Sequence, residues 1–235
     1  MSPMAAAREP LVLVIDDEEV LAGMIAQYLE RAGFATRLAA DGPTGLRLAR
    51  ETDPDVIVLD LGLPGLDGVE LCRQVRTFSD CYIVMATARA DEVDTLVGLS
   101  VGADDYVTKP FSVRELVARI QAMMRRPRGP RDADPPLVFG ALTLDLGSRE
   151  VHLEGAPVDL TRTEFDLLAA LASRPRLALS RRQLIDDVWG PDWVGDDHVV
   201  DVHLAHVRRK LGDDAGQPRF VQTVRGVGYR MGTGR

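Results

Sequence analysis

The sequence predicts an α/β domain built on a doubly wound parallel sheet, followed by a smaller α+β domain of winged helix-turn-helix type. Three observations carry that prediction. Before residue 126, five short apolar runs alternate with stretches whose apolar residues recur at helical spacing, the pattern of parallel strands joined by crossover helices. Arg125–Pro136 then holds four prolines and no apolar periodicity, as a linker does. Beyond it come short strand-like segments, three helical stretches and a closing hairpin pattern. At 235 residues the chain is long enough for two domains, and the predicted division is 10–126, a linker at 127–136, and 137–231.

Taken in order, Leu11–Ile15 is an apolar strand ending in Asp16-Asp17. Glu18 to Arg31 follows as a helix, with Val20, Leu21, Met24, Ile25, Tyr28 and Leu29 at helical spacing and Gly33 as its stop. Phe34–Ala39 reads as a second strand and Pro43–Glu51 as a second helix. Val56-Ile57-Val58-Leu59 reads as a strand buried on both faces; it delivers Asp60 and breaks at Leu63-Pro64-Gly65. A helix through Val69, Leu71, Cys72 and Val75 leads to a fourth strand, Tyr82–Ala86, ending at Thr87. Glu92–Val101 reads as a helix stopped by Gly102. Tyr106-Val107 lies in a short fifth strand followed by Lys109-Pro110, and Ser112 caps a helix with Val113, Leu116, Val117, Ile120 and Met123/Met124 on its apolar side.

In the second part, Leu137–Asp145, Arg149–Leu153 and Val158–Leu160 read as strands. Thr161 opens a helix with Glu164 three residues on, a capping box, and its apolar positions are Phe165, Leu167, Leu168 and Leu171. Ser180 caps a second helix (Leu184, Ile185, Val188), and His198–Leu211 is a third. Arg219–Val224 and Gly228–Met231 form the hairpin, with Gly226 and Gly228 allowing the tight turn.

Composition narrows the class. No apolar run approaches the ~18 residues of a membrane helix, and the opening ten residues have neither leader nor anchor pattern. Cys72 and Cys81 have no metal-ligand spacing and read as reduced thiols, so the expected location is the cytoplasm, away from membrane. Residues 1–126 carry 20 acidic against 13 basic groups, net −7, whereas residues 203–230 carry six Arg/Lys against Asp213 and Asp214, net +4. A local basic stretch is enough for nucleic acid to bind an acidic protein, because the local field decides the contact.

The chemistry lies in what the strand ends carry: Asp16 and Asp17, Asp60, Thr87 and Lys109. In an open α/β sheet the carboxyl ends of the strands share one edge, so these groups converge. Three carboxylates so placed call for a cation. Mg2+ fits, because it takes one or two carboxylates with water and phosphate oxygens, and it lets an anionic nucleophile approach an anionic phosphoryl group. Asp60 is the expected nucleophile, Lys109 supplies fixed positive charge, and the Thr87 hydroxyl is placed to bond a phosphoryl oxygen.

On these residues, 10–126 resembles the receiver domain of a two-component response regulator, a flavodoxin-like fold. The resemblance implies that Asp60, in Leu-Asp-Leu-Gly-Leu-Pro-Gly-Leu-Asp-Gly, is a phosphoacceptor charged by a sensor histidine kinase and slowly self-hydrolysing. It implies Asp16, Asp17, Asp60 and the Gly62 carbonyl around Mg2+, and Thr87, Lys109 and Tyr106 as the switch. It places homodimer contacts at Asp104, Asp105, Arg114, Glu115 and Arg119, with an uncharged Thr95 where relatives carry a base, which weakens the expected dimer.

The helix 198–211 carries an apolar stripe, Val200, Leu204, Val207 and Leu211, with His198, Asp201, His203, Ala205, His206, Arg208, Arg209 and Lys210 on its other faces, the pattern of a helix that reads a major groove. The histidines lack the companions of a tetrahedral metal site. Residues 137–231 resemble the winged-helix domain of the OmpR/PhoB subfamily through Asp201-Val202-His203-Leu204, Arg208-Arg209-Lys210-Leu211 and Thr223–Arg230. The resemblance implies promoter DNA with tandem half-sites as a partner, contacted by His203, Arg208, Thr223, Arg225 and Tyr229, with His198 and His206 on the same helix. It also implies an RNA polymerase contact at Trp189–Asp197. The expected function is therefore a phosphorylation-dependent transcription regulator and not a turnover enzyme. The competing expectations are a constitutive DNA binder with a non-switching receiver, and a phosphatase using an aspartyl nucleophile; the latter needs an acid two residues after the nucleophile, where Gly62 stands.

Overall fold

The computed structural model describes residues 8–87, 101–124, 135–193, 195–214 and 216–235. The chain divides into two compact units, 1–120 and 121–235.

The first unit is a five-stranded parallel sheet in the order β2-β1-β3-β4-β5. Its strands are β1 (Leu11–Ile15), β2 (Ala35–Ala39), β3 (Val56–Asp60), β4 (Tyr82–Thr87) and β5 (Asp105–Thr108). Helices α1 (Glu19–Arg31), α2 (Gly42–Thr52), α3 (Gly68–Val75) and α4 (Val113–Met124) connect or follow them. Strands β1, β3 and β4 are almost wholly buried along their length, as runs of Val, Ile and Leu covered on both faces must be. The chain starts at the centre, moves outward to β2, then returns across β1 to β3, so the strand order reverses between β1 and β3. Residues 92–100 of the expected helix, Thr95 among them, lie outside the described residues.

Local chemistry sets the helix starts. Asp41 caps α2 by accepting from Thr44 N at 2.7 Å, and Asp67 caps α3 through Val69 N at 3.0 Å. A Cβ at Gly68 would meet the Asp60 carbonyl at 2.5 Å, so only glycine lets α3 begin this close to the end of β3. Both cysteines are buried and free, and burial pushes the Cys72 thiol up to about 12.

At the opposite edge of the sheet Arg76 leaves α3 and enters the interior. Its guanidinium donates to the carbonyls of Gly102 (2.8 Å) and Cys81 (2.6 Å) and to the carboxylate of Asp104 (2.6 Å). Asp104, which the sequence suggested for a dimer surface, is fully buried and also accepts from Ile83 N at 2.8 Å. Asp105 is likewise buried and paired with Arg119 at 3.1 Å, while Arg119, itself 8% exposed, also bonds Glu115 at 2.7 Å. These carboxylates turn inward because each finds a guanidinium on its own chain; of the five suggested dimer residues, Arg114 and Glu115 keep appreciable exposure.

The second unit opens with an antiparallel sheet, β6 (Leu137–Phe139), β7 (Leu142–Asp145), β8 (Glu150–Leu153) and β9 (Ala156–Pro157), in that order. The single strand expected over 137–145 is a hairpin turned at Gly140, where φ is +60°. The strand expected at Val158–Leu160 starts earlier, because Glu154 and Gly155 both take positive φ in a two-residue turn that pairs Leu153 with Ala156. Then come α5 (Arg162–Ser173), α6 (Arg181–Val188) and α7 (His198–Lys210), closed by the hairpin β10 (Val221–Val224) and β11 (Gly228–Met231). Thr161 and Glu164 form the expected capping box, and Ser180 with Gln183 forms a second. Leu179 bridges to Tyr229, fastening the hairpin beside the start of α6. Three helices with this hairpin make a winged helix-turn-helix.

Removal of one partner of a buried ion pair strands the other charge, so Asp104→Ala is expected to cost the chain about 3–5 kcal/mol. Urea unfolding of the first unit, followed by amide circular dichroism against the unsubstituted chain, measures it; a shift within about 0.5 kcal/mol would show that Arg76 does not need its carboxylate.

Candidate functional site

Strand register assembles the first site. Ile15 pairs with Leu59, so Asp16, the next residue, stands beside Asp60. Asp60 pairs with Ala86, and Thr87 pairs with Thr108, so Thr87 and Lys109 each fall one residue beyond a paired neighbour at the same edge. The Lys109 amide donates to the Thr87 carbonyl at 2.7 Å, which fixes the start of the lysine side chain. Asp16, Asp17 and Asp60 each bring a carboxylate oxygen within 4.8 Å of the others, with Asp16 and Asp60 buried and Asp17 exposed. Thr87 is buried and Tyr106 half-buried on β5.

Like charges at this spacing repel by roughly 3–4 kcal/mol per pair at an effective dielectric near 20. The Lys109 ammonium offsets part of this. It lies 3.0 Å from Asp16 Oδ2, 3.0 Å from Glu18 Oε1 and 3.3 Å from Asp60 Oδ1. Burial alone would lower the lysine pKa, but its hydrogen bonds to Glu18 and Asp16 and the charge of Asp60 outweigh that and hold it above its usual range. Burial pushes the Asp60 carboxyl up; Lys109 opposes the shift and Asp16 adds to it. A hydrogen bond from the Gly62 backbone also favours the Asp60 carboxylate. Glu18 is the one pocket partner that sequence reasoning missed. It read as the start of a helix, and the only signal was its place as the third acid of a run of four, Asp16 to Glu19.

In the second unit the α7 stripe Val200, Leu204, Val207 and Leu211 is fully buried, as expected. The buried arc is wider than the stripe, however. His203 and His206 are 1% and 7% exposed, with the His203 ring 5.8 Å from Trp189 and 6.4 Å from His206. Glu164, buried on α5, lies 3.7 Å from His206 Nδ1 and accepts from Lys210 Nζ at 2.6 Å. Exposed positions on α7 include His198, Ala205 and Arg209. Arg208 is half-buried; its Nε and Nη2 donate to the Val221 carbonyl at 2.9 and 2.7 Å, and Nη2 also to Thr223 Oγ1 at 2.8 Å. Thr223 and the wing-tip residue Arg225 are exposed. Asp213 ties the end of α7 to the wing by accepting from the amides of Arg219, Phe220 and Val221.

Comparison with known proteins agrees with both halves. Residues 12–121 match the family described as response regulator receiver domain, and residues 155–231 that described as transcriptional regulatory protein, C terminal. The sensory transduction protein RegX3 of Mycolicibacterium smegmatis is 44% identical over 223 residues, 94% of this chain and 98% of that one. The transcriptional regulatory protein AfsQ1 of Streptomyces coelicolor is 44% identical over 222 residues, with the same coverage of 94% and 98%. Among solved structures, a RitR mutant matches with a TM-score of 0.75 and 29% identity over 94% of this chain and 98% of that one. DrrB, an OmpR/PhoB homologue from Thermotoga maritima, matches with a TM-score of 0.52 and 28% identity over 96% and 100%. This chain is a two-component response regulator of the OmpR/PhoB family.

The response regulator thus has a receiver domain and a DNA-binding domain, in keeping with phosphorylation-dependent control of transcription. It is a DNA-binding regulator and not an enzyme of the ordinary kind. Among its described residues no helix is long and apolar enough to cross a membrane. Three of the suggested DNA contacts, His203, His206 and Tyr229, are buried. His203 and His206 face the interior, because Trp189 and Glu164 give imidazoles an apolar and a polar wall on that side of α7. Tyr229 is 6% exposed and donates its hydroxyl to Asp201 at 2.8 Å, so it too is committed within the domain.

Burial, helped by the nearby His203, lowers His206 from 6.5 to about 4, with Glu164 opposing. The folded domain therefore binds fewer protons than the unfolded chain between those values, so its stability is full above pH 6.5 and falls as pH drops toward 4. After allowance for solvent screening, the loss is on the order of 2 kcal/mol. The expected outcome is that His206→Gln flattens this slope, read as the pH dependence of tryptophan-monitored unfolding from Trp189 and Trp193. An unchanged slope would assign the titration elsewhere.

Proposed function

We propose that Asp60 is the phosphoacceptor of this regulator and that its charging by a sensor histidine kinase raises DNA affinity. The convergence of Asp16, Asp17, Asp60 and Lys109 at the sheet edge where strand order reverses is the observation that carries this reading. An Asp60 carboxylate oxygen attacks phosphorus of the phosphohistidine; the O–P bond forms, the N–P bond breaks, and the imidazole leaves with the electron pair and takes a proton. Asp16, Asp17, Asp60 and the Gly62 carbonyl would hold Mg2+, and the acidic cluster fits a hard, oxygen-seeking cation. Bound there, the metal supplies the positive charge that offsets repulsion between carboxylate and phosphoryl group. Lys109 turns from its carboxylates to a phosphoryl oxygen, Thr87 donates its hydroxyl to another, and Tyr106 follows Thr87 inward as the switch. Gly62 places no acid beside Asp60: even a Cβ there would sit 3.4 Å from Asp60 Oδ2, so an acidic side chain would be within reach and its lack favours a long-lived acyl phosphate over turnover.

The domains we assign are 10–126, 127–136 and 137–231, because α4 runs unbroken to Met124 and β6 opens at Leu137. The charged receiver dimerises using exposed Arg114 and Glu115 near β5, and two winged helices then occupy tandem half-sites of promoter DNA. The DNA contacts we assign are His198, Arg208, Thr223 and Arg225, with α7 in the major groove and the wing in the minor groove. The loop after α6, at Trp189–Asp197, is the surface for RNA polymerase, and the protein works in the cytoplasm.

The test combines labelling and binding. Acetyl phosphate with Mg2+ is expected to label the chain and to raise its affinity for a selected duplex, and Asp60→Ala to abolish both. At Mg2+ about ten-fold above its dissociation constant the receiver should gain about 1.4 kcal/mol of stability, a gain lost in Asp17→Asn. Labelling that persists in Asp60→Ala moves the site elsewhere, and equal DNA affinity before and after labelling makes the regulator constitutive.

A further inference from the structure

A carboxylate on a helix that approaches a polyanion is unfavourable unless something neutralises it. Asp201 lies on α7 between the exposed residues His198 and Ala205. Its Oδ1 accepts from Arg181 Nε at 2.8 Å and from the Tyr229 hydroxyl at 2.8 Å; its Oδ2 accepts from Arg181 Nη2 at 3.2 Å and lies 3.3 Å from His198 Nδ1. Arg181 opens α6 and Tyr229 belongs to β11, so one carboxylate joins α6, α7 and the wing. Burial pushes the Asp201 carboxyl up, but the bonds from Arg181 and Tyr229 outweigh it and hold the group below its usual range. The Tyr229 ring meets two guanidiniums, with Arg181 at 5.5 Å and Arg208 at 5.6 Å from its centroid. Arg208 in turn grips the Val221 carbonyl and Thr223. The result is a continuous bracket, Arg181–Asp201–Tyr229–Arg208–Thr223.

We propose that Asp201 is a positioning residue for DNA binding, holding α6, the recognition helix and the wing at one spacing and aiming the Arg181 and Arg208 guanidiniums at the phosphate backbone. This rests on the groove assignment made above. The Arg181 side chain keeps 38% exposure, so its remaining N–H groups face solvent where a phosphate can meet them. A free arginine side chain loses rotamer entropy when it binds, and ordering it in advance removes part of that loss from binding.

Simple electrostatics and positioning predict opposite signs for Asp201→Asn, since loss of a negative charge beside DNA would by itself tighten binding. The full chain is titrated, across a range of salt, with a duplex that the unsubstituted protein has selected from a random-sequence pool. The expected result is that Asp201→Asn weakens binding roughly ten-fold through loss of its charge-assisted bonds, and reduces the slope of log affinity against log salt by about one. Tyr229→Phe weakens binding too, and the double variant loses no more than Asp201→Asn alone. Leu171→Ala, a core change in α5 measured well below its melting point, leaves the salt slope unmoved. Unchanged or tighter binding by Asp201→Asn, or losses that simply add in the double variant, overturns the proposal. If Arg225→Ala also binds normally, the groove assignment itself fails; a loss in Arg225→Ala with none in Asp201→Asn overturns the positioning role alone.

Discussion

The ammonium of Lys109, set among Asp16, Glu18 and Asp60, is the contact on which the receiver edge depends. Without a positive charge there, three acids on adjacent strand ends would repel one another and the Asp60 carboxylate would be disfavoured by burial as well. The lysine can serve because β5 pairs with β4 in a register that leaves Lys109 one residue past Thr108. That register is held in turn by strands with no polar face to slip toward, since β3 and β4 are buried throughout. The cation at this edge is already in place but shared among carboxylates, so an added charge here would redistribute bonds that exist. This is how a small chemical event can bias the surrounding loop and strand ends.

The DNA-binding unit handles charge by the same logic, with its basic excess confined to residues 203–230, where six Arg/Lys face two acids. Three acids set its geometry: Glu164 takes Lys210, Asp201 takes Arg181, and Asp213 accepts from backbone amides at the start of the wing. Each acid joins elements distant in sequence, so each sets geometry more than it adds stability, as expected for ion pairs that keep partial exposure. The winged helix presents donors whose directions are restricted before DNA arrives.

Much of this was legible from residue order. The acidic strand ends, Thr87 and Lys109 were readable because a parallel sheet obliges every strand to end on one side, so their placement follows from the α/β alternation alone. The capping box at Thr161 and the buried stripe of α7 were readable because both are local patterns. The burial of His203, His206 and Tyr229 was not legible, because their partners Trp189, Glu164 and Asp201 lie on other elements or a turn away. The burial of Asp104 and Asp105 against Arg76 and Arg119 was hidden for the same reason. The turn at Glu154-Gly155 shifted β9 because backbone φ, and not hydrophobic alternation, chose where pairing resumed.

The sequence by itself therefore determined the two fold classes and the edge at which the acidic groups, Thr87 and Lys109 gather, since each rests on propensity, periodicity or the direction of a strand. Only the tertiary structure decided which charged groups are spent on one another. Lys109 meets Asp16 across 93 residues and Tyr229 meets Asp201 across 28. Periodicity carries information over a few residues, whereas the burial and neutralisation of a charge depend on whatever the fold brings against it.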